Sequence, residues 1–192
     1  MLAEFETYIK EQANLSDEDI QLMISKATKR TARRKELLLR EGEVCRHKTF
    51  VASGMLRTYR TKEDGSEYIV QFSPEDTWAI DPESYDNVMP SNYNIEALED
   101  SEVMLWAKTD FEYLLAHIPA LKTFSAKIIS QNIYLNRQRV FSSISSSAEE
   151  KYDEFIKTSP RVFARVPLHM VASYLGVSRE TLSRIRHAQV KR

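Results

Sequence analysis

The stretch YLGVSRETLSRIR (Tyr174–Arg186) decides how the rest of the chain is read. An acid, Glu180, stands among Arg179, Arg184 and Arg186 on a segment that also repeats an apolar spacing. With Leu168 as the first of twenty positions, the fifth is Ala172, small enough for two helices to cross closely. The ninth is Gly176, where a tight turn needs a left-handed residue. Val171, Leu175, Val177, Leu182 and Ile185 occupy the positions that a bihelical core requires to be apolar. Ser178 is placed to cap the second helix. With Leu182 and Ile185 turned inward, Arg179, Glu180, Ser183, Arg184 and His187 face outward. The spacing predicts a helix–turn–helix; a generic helical hairpin is the plainer alternative.

A second helix of this kind can lie in the DNA major groove with its N-terminal half against base edges. Arginine donates bidentately to guanine O6 and N7, and a carboxylate accepts from cytosine N4. Glu180 therefore makes sense as a base reader; on a helix that only held phosphates it would be a liability. Arg179, Glu180 and Arg184 are the candidate base readers. Ser178, Thr181, Ser183 and Arg186 are the candidate phosphate contacts, which fix register without reading sequence. Charge agrees: from Arg161 to Arg192 seven basic residues face one acid, a balance of +6, while the whole chain carries −1. A basic tail on an acidic body points to a polyanion partner, double-stranded DNA.

The composition, 42% hydrophobic and 29% charged over 192 residues, is that of an ordinary globular protein with enough core to fold without staples. A single cysteine, Cys45, excludes an intramolecular disulfide framework and a cysteine-ligated cluster made by one chain, and fits a reducing, cytoplasmic setting. No run approaches the ~18 apolar residues of a membrane span, so no membrane partner is expected.

Leu2, Phe5 and Ile9 are spaced for one face of a short helix. Ser16 and Asp19 form a capping box for a second, with Ile20, Met23, Ile24 and Ala27 on its apolar face. The basic run KATKRTARRK (Lys26–Lys35) reads as a solvated helix end and loop. After Leu37 the period changes. Short runs rich in Val, Phe, Tyr, Ile and Thr are separated by turn signals at Glu41-Gly42-Glu43, Ser53-Gly54, Asp64-Gly65-Ser66, Ser73-Pro74-Glu75 and Glu99-Asp100. Such spacing predicts an all-β sandwich or barrel, with a loop between Pro82 and Pro90. Helical reading returns where Thr109 or Asp110 caps DFEYLLAHI, and then runs some 25 residues without Gly or Pro. There Leu121, Phe124, Ile128 and Leu135 fall at heptad core positions, with Gln131 and Gln138 between, a candidate dimer seam. Packing of the same helix on its own barrel competes with that reading. SSISSS reads as a hinge, Ala148–Lys157 as an amphipathic helix, and Ser159-Pro160 as its end.

Taken together, SGMLRTY, DGSEYIVQF, ALEDSEV and YLGVSRETLSRIR resemble the bacterial cyclic-AMP receptor / fumarate–nitrate regulator (Crp/Fnr) family over nearly the whole chain. The resemblance implies an α+β fold: a cyclic-nucleotide-binding-like jelly-roll barrel with N-terminal helices over 1–118, a dimerisation helix over 119–142, and a helix–turn–helix domain over 143–192. It implies a transcriptional regulator, not an enzyme, that binds near-palindromic DNA as a homodimer. RNA polymerase and an effector of open identity are the implied further partners, and no cofactor is expected. The family's Arg-Glu-x-x-x-Arg falls on Arg179, Glu180 and Arg184.

Two departures stand out. The family's phosphate cassette carries Gly-Glu and then Arg-Ser; here these fall near Ile80-Asp81 and on Ser91-Asn92, so the guanidinium that would neutralise a cyclic phosphate is replaced. The barrel is therefore not expected to bind cyclic AMP by the family mode, and Trp78, Asp81, Ser91 and Asn92 remain as a candidate pocket for another effector. Five residues follow His187, so a wing is expected to be missing or very short. That keeps open an alternative, a ligand-binding or protein-interaction module whose terminal hairpin no longer reads DNA. His47, His117, His169 and His187 show no metal-ligand spacing, and Glu149-Glu150 and Glu99-Asp100 lack any nucleophile or base that would make them catalytic.

Overall fold

A computed structural model describes residues 1–190; Lys191 and Arg192, counted above in the basic tail, lie outside the described residues. Helices α1 (Leu2–Gln12) and α2 (Asp17–Ser25) precede strands β1 (Thr28–Ala32), β2 (Leu37–Leu39), β3 (His47–Ser53), β4 (Met55–Thr61), β5 (Glu67–Pro74) and β6 (Thr77–Ala79). A short helix α3 (Pro82–Asn87) leads to β7 (Asn94–Ala97) and β8 (Ser101–Ala107). Helices α4 (Lys108–His117), α5 (Pro119–Ser145), α6 (Ala148–Thr158), α7 (Pro160–Phe163), α8 (Leu168–Leu175) and α9 (Arg179–Val190) follow.

The strands form two antiparallel four-stranded sheets, ordered β1-β8-β3-β6 and β2-β7-β4-β5. Between the sheets lie Leu39, Val51, Leu56, Ile95, Val103 and Leu105. The first sheet is buried on its outer face as well. Phe50, Met104 and Trp106 alternate with Val51, Val103 and Leu105 and pack under Phe5, Ile9, Ile20 and Met23 from the N-terminal helices. This double burial is why FVA (Phe50–Ala52) and VMLW (Val103–Trp106) read as continuous apolar runs. Each fully buried side chain contributes about 1.5–3 kcal/mol. A third cluster joins α6, α7, α8 and α9 to Met55, Phe72 and Leu98 of the barrel.

Two turn glycines are needed for different reasons. Gly65 takes φ 81° at the tip of the β4–β5 hairpin. Gly54 takes φ 89°, and a Cβ there would stand 2.3 Å from Ser101 Oγ. The Ser101 hydroxyl in turn accepts the Met55 amide at 3.1 Å.

Four local expectations need correction. The run Lys26–Lys35 is not a helix end and loop: Thr28–Ala32 is an edge strand paired with β8, with Ala32 buried and Arg30 opposite Val103. Pro82 does not open a loop but stands at the start of α3, capped by the Asp81 carboxylate accepting from the Ser84 amide. Helix α4 begins at Lys108 with no side-chain cap, so neither Thr109 nor Asp110 caps it. Ser159-Pro160 ends α6 but also starts α7, because proline fits a first helical turn.

Candidate nucleic-acid interface

Gly176 takes φ 67° and ψ 33° at the end of α8, and the Val177 amide returns to the Ala172 carbonyl at 3.1 Å. This left-handed close turns the chain from α8 into α9. Leu182 is fully buried against Val171 and Ala172, with Val177, Leu175 and Ile185 half-buried around it. Tyr152 and Phe155 of α6 complete that small core. Anchoring one side of α9 leaves Arg179, Glu180, Arg184, Arg186 and His187 exposed. At about 100° per residue, Arg179, Ser183, His187, Glu180 and Arg184 span about 140° of helix surface.

The Ser178 hydroxyl accepts the Thr181 amide at 3.1 Å and donates to Thr181 Oγ1 at 3.0 Å. Both hydroxyls therefore sit together at the N-terminus of α9, whose dipole favours an anion. The Glu180 carboxyl lies below the usual carboxylate range because its own backbone amide, and then the Ser178 hydroxyl, stabilise the ionised form. At neutral pH it is an acceptor only.

The residues expected to form a seam on α5 differ in their exposure. Leu121 and Phe124 are buried in the subunit's own core beneath the N-terminal helices, and Ile128 packs against the same cluster. The first turns of α5 lie on the body of the molecule, so Leu121 and Phe124 have almost no free surface for a partner, while Ile128 is only partly covered. Leu135, in contrast, is 61% exposed. The apolar residues left open on a shared stripe are Ile129, Ile133, Val140 and Ile144, with Tyr134 and Phe141 beside them. Their spacing of four, seven and four residues follows a heptad offset from the one centred on Leu121 and Phe124.

The four residues of the candidate effector pocket do not converge. Trp78 faces outward from β6 and packs with Phe50, Trp106 and Phe111, its indole N–H donating to the Tyr8 hydroxyl at 3.2 Å. The neighbouring Ala79 takes the inward position. Asp81 and Ser91 are brought together: the Ser91 hydroxyl donates to Asp81 Oδ2 at 2.6 Å, both nearly buried. Asn92 is exposed. The histidines are dispersed. His117 Nδ1 donates to the Tyr113 carbonyl at 2.8 Å with its ring stacked on that tyrosine, His169 and His187 are exposed, and His47 borders a cavity at the far edge of the barrel.

Sequence reasoning did not anticipate how the C-terminal helices dock on the barrel. The Ser173 hydroxyl on α8 bonds the backbone of β5 at Ile69 and Glu67. Arg139 of α5 stacks its guanidinium 4.0 Å over the Tyr174 ring and donates to the Val70 and Tyr174 carbonyls. Arg165 bridges Glu75 and Glu99. These residues lie far apart in sequence and form no motif.

Residues 29–117 match the family described as Cyclic nucleotide-binding domain. No curated protein matches the chain. Among solved structures, the chain is similar to FixK2 from Bradyrhizobium japonicum at 19% identity, covering 86% of this chain and 85% of that one, with a TM-score of 0.74. A transcriptional regulator of the Crp/Fnr family from Eubacterium rectale matches at 16% identity over 96% and 88%, TM-score 0.71. The catabolite activator protein of Thermus thermophilus matches at 20% identity over 93% and 85%, TM-score 0.58. From barrel to terminal helices, then, the chain has the fold of the Crp/Fnr transcriptional regulators, with residues 29–117 matching the cyclic nucleotide-binding domain.

Proposed function

We propose that this protein is a homodimeric, sequence-specific DNA-binding regulator of transcription. The observation that carries the reading is the surface of α9: two guanidinium groups and an ionised carboxylate, Arg179, Arg184 and Glu180, exposed on a helix whose other side is anchored by Leu182. Arg179 and Arg184 each fit a guanine edge, and Glu180 the amino group of a cytosine. Ser178, Thr181, Ser183 and Arg186 flank these and serve the phosphates. Two copies joined along Ile129, Ile133, Val140 and Ile144 present two such helices about a two-fold axis, which calls for a near-palindromic site with half-sites about one helical turn apart. The likeness of the whole chain to Crp/Fnr structures supports the same reading.

The barrel serves this function without a family-type cyclic nucleotide. At the cassette positions the Ser91 hydroxyl bonds the Asp81 carboxylate, where a phosphate would require a cation. The test of the main reading is a gel shift on genomic fragments at several salt concentrations. A set of preferred fragments, with affinity falling steeply as salt rises, is expected. Equal binding to every fragment, or none, would contradict it.

A further inference from the structure

The basic run Lys26–Lys35 is not used by the DNA-binding reading, and the structure gives it a different setting. Strand β1 lies at the edge of its sheet beside β8, and β2 lies at the edge of the other beside β7. Between these edges opens a cavity of about 440 Å³, on the side of the barrel opposite β5 and β6. That volume lies within the range of about 300–1,000 Å³ usual for small-molecule sites. None of Trp78, Asp81, Ser91 or Asn92 borders it, nor does any residue of α5.

Its lining is divided chemically. Leu39, Ile95 and Leu105 form an apolar floor that belongs to the barrel core. Arg30, Arg46 and His47 stand around it. Arg30 is directly opposite Val103, whose side chain is in the barrel core, so its strand position points inward although its charge belongs at a surface. Glu36 engages one of its terminal nitrogens. The one acid on the lining, Glu43, is turned toward the Arg40 amide at 3.2 Å. Burial first, then the charges of Arg30 and Arg46, push the His47 imidazole below its ordinary pKa. The shift favours the neutral ring, so the lining carries a polar imidazole together with the guanidinium groups of Arg30 and Arg46.

We propose that this edge cavity binds a small organic anion, a carboxylate or phosphate monoester on an apolar chain, with the head held by Arg30, Arg46 and His47 and the chain laid on Leu39, Ile95 and Leu105. Fork-shaped guanidinium groups suit either head, and the apolar floor rewards a tail that water disfavours. The site is independent of DNA recognition, so it stands or falls separately from the regulator reading.

The experiment is calorimetry on the full-length protein with octanoate, octyl phosphate and 1-octanol. Saturable binding of at least one anion at one per chain is expected, with octanol at least tenfold weaker. R30Q and R46Q should each weaken the anion about tenfold and leave octanol unchanged; Arg46 is exposed at the mouth, so R46Q keeps the test open if R30Q fails to fold. Cys45, the chain's single cysteine, also lines the cavity, and occupancy should slow its alkylation by iodoacetamide at least threefold. No saturable binding of either anion, equal affinity for octanol, or an unchanged alkylation rate would overturn the proposal. Arg30 would then be an inward charge that guards an edge strand against pairing.

Discussion

The hydroxyl of Ser173 accepts the Ile69 amide at 3.0 Å and donates to the Glu67 carbonyl at 2.7 Å. Strand β5 is one of the two edges of its sheet, so one side chain from the helix–turn–helix satisfies two backbone groups that the sheet leaves open. Replacing Ser173 with Ala removes both bonds, each with a net worth of about 0.5–1.5 kcal/mol because water can replace it at an edge. A loss of about 1–2 kcal/mol in urea unfolding is expected, with hydrogen exchange at the Ile69 amide at least tenfold faster. Unchanged exchange there would mean that Ser173 does not hold the edge in solution.

Gly54 tests the join between β3 and β4. Alanine at φ 89° is strained, and its Cβ would meet Ser101 at 2.3 Å. Strain and overpacking together should cost about 2–4 kcal/mol. The double variant Gly54→Ala with Ser101→Gly should recover only a small part of that loss, since it removes the contacts with Ser101 Oγ and Cβ but leaves the 2.7 Å approach to the Ser101 Cα and the strain. A Gly54→Ala protein as stable as the wild type would contradict this geometry.

The two apolar faces of α5 separate by experiment. Ile133→Glu, on the exposed stripe, should leave a folded monomer in sedimentation, because a charge replaces an anchor of the seam. Leu121→Ala should instead destabilise the subunit by about 2–5 kcal/mol, as expected for a fully buried leucine. A dimer that survives Ile133→Glu and Val140→Glu together would place the interface elsewhere.

Much of this was legible because local chemistry and tertiary role coincide. The Ser16–Asp19 capping box, the Asp64-Gly65 turn and the spacing from Val171 to Ile185 each needed only neighbours in sequence to be satisfied. The burial of Leu121 and Phe124 within the subunit was not legible for a definite reason. That helix carries two apolar stripes, and the sequence does not say which one the barrel claims; the placement of its first turns on the N-terminal helices assigns Leu121 and Phe124 to the subunit core. Strand β1 was hidden because an edge strand shows most of its residues to water, so Thr28, Lys29 and Thr31 are polar and only Ala32 marks the buried face. Helix α3 was legible in principle from Asp81-Pro82, a capping residue followed by a first-turn proline. The docking set of Arg139, Arg165 and Ser173 was not, since each pairs with a residue some 35–100 positions away.

Titration of the purified protein with cyclic AMP and with cyclic GMP should give no micromolar binding, because the phosphate would face the Asp81–Ser91 pair. Micromolar affinity for either nucleotide would show that another group supplies the missing positive charge.

The most direct test of α9 as a reader of bases is selection of bound genomic fragments by the wild type, by Arg179→Ala and by Arg184→Ala, each followed by affinity measurement on the recovered site. The wild type should recover a near-palindrome. Each variant should lose about 1–3 kcal/mol on that site and relax its preference at one base pair in each half. A uniform loss on all sequences, with the preference intact, would make these arginines phosphate contacts and contradict the account.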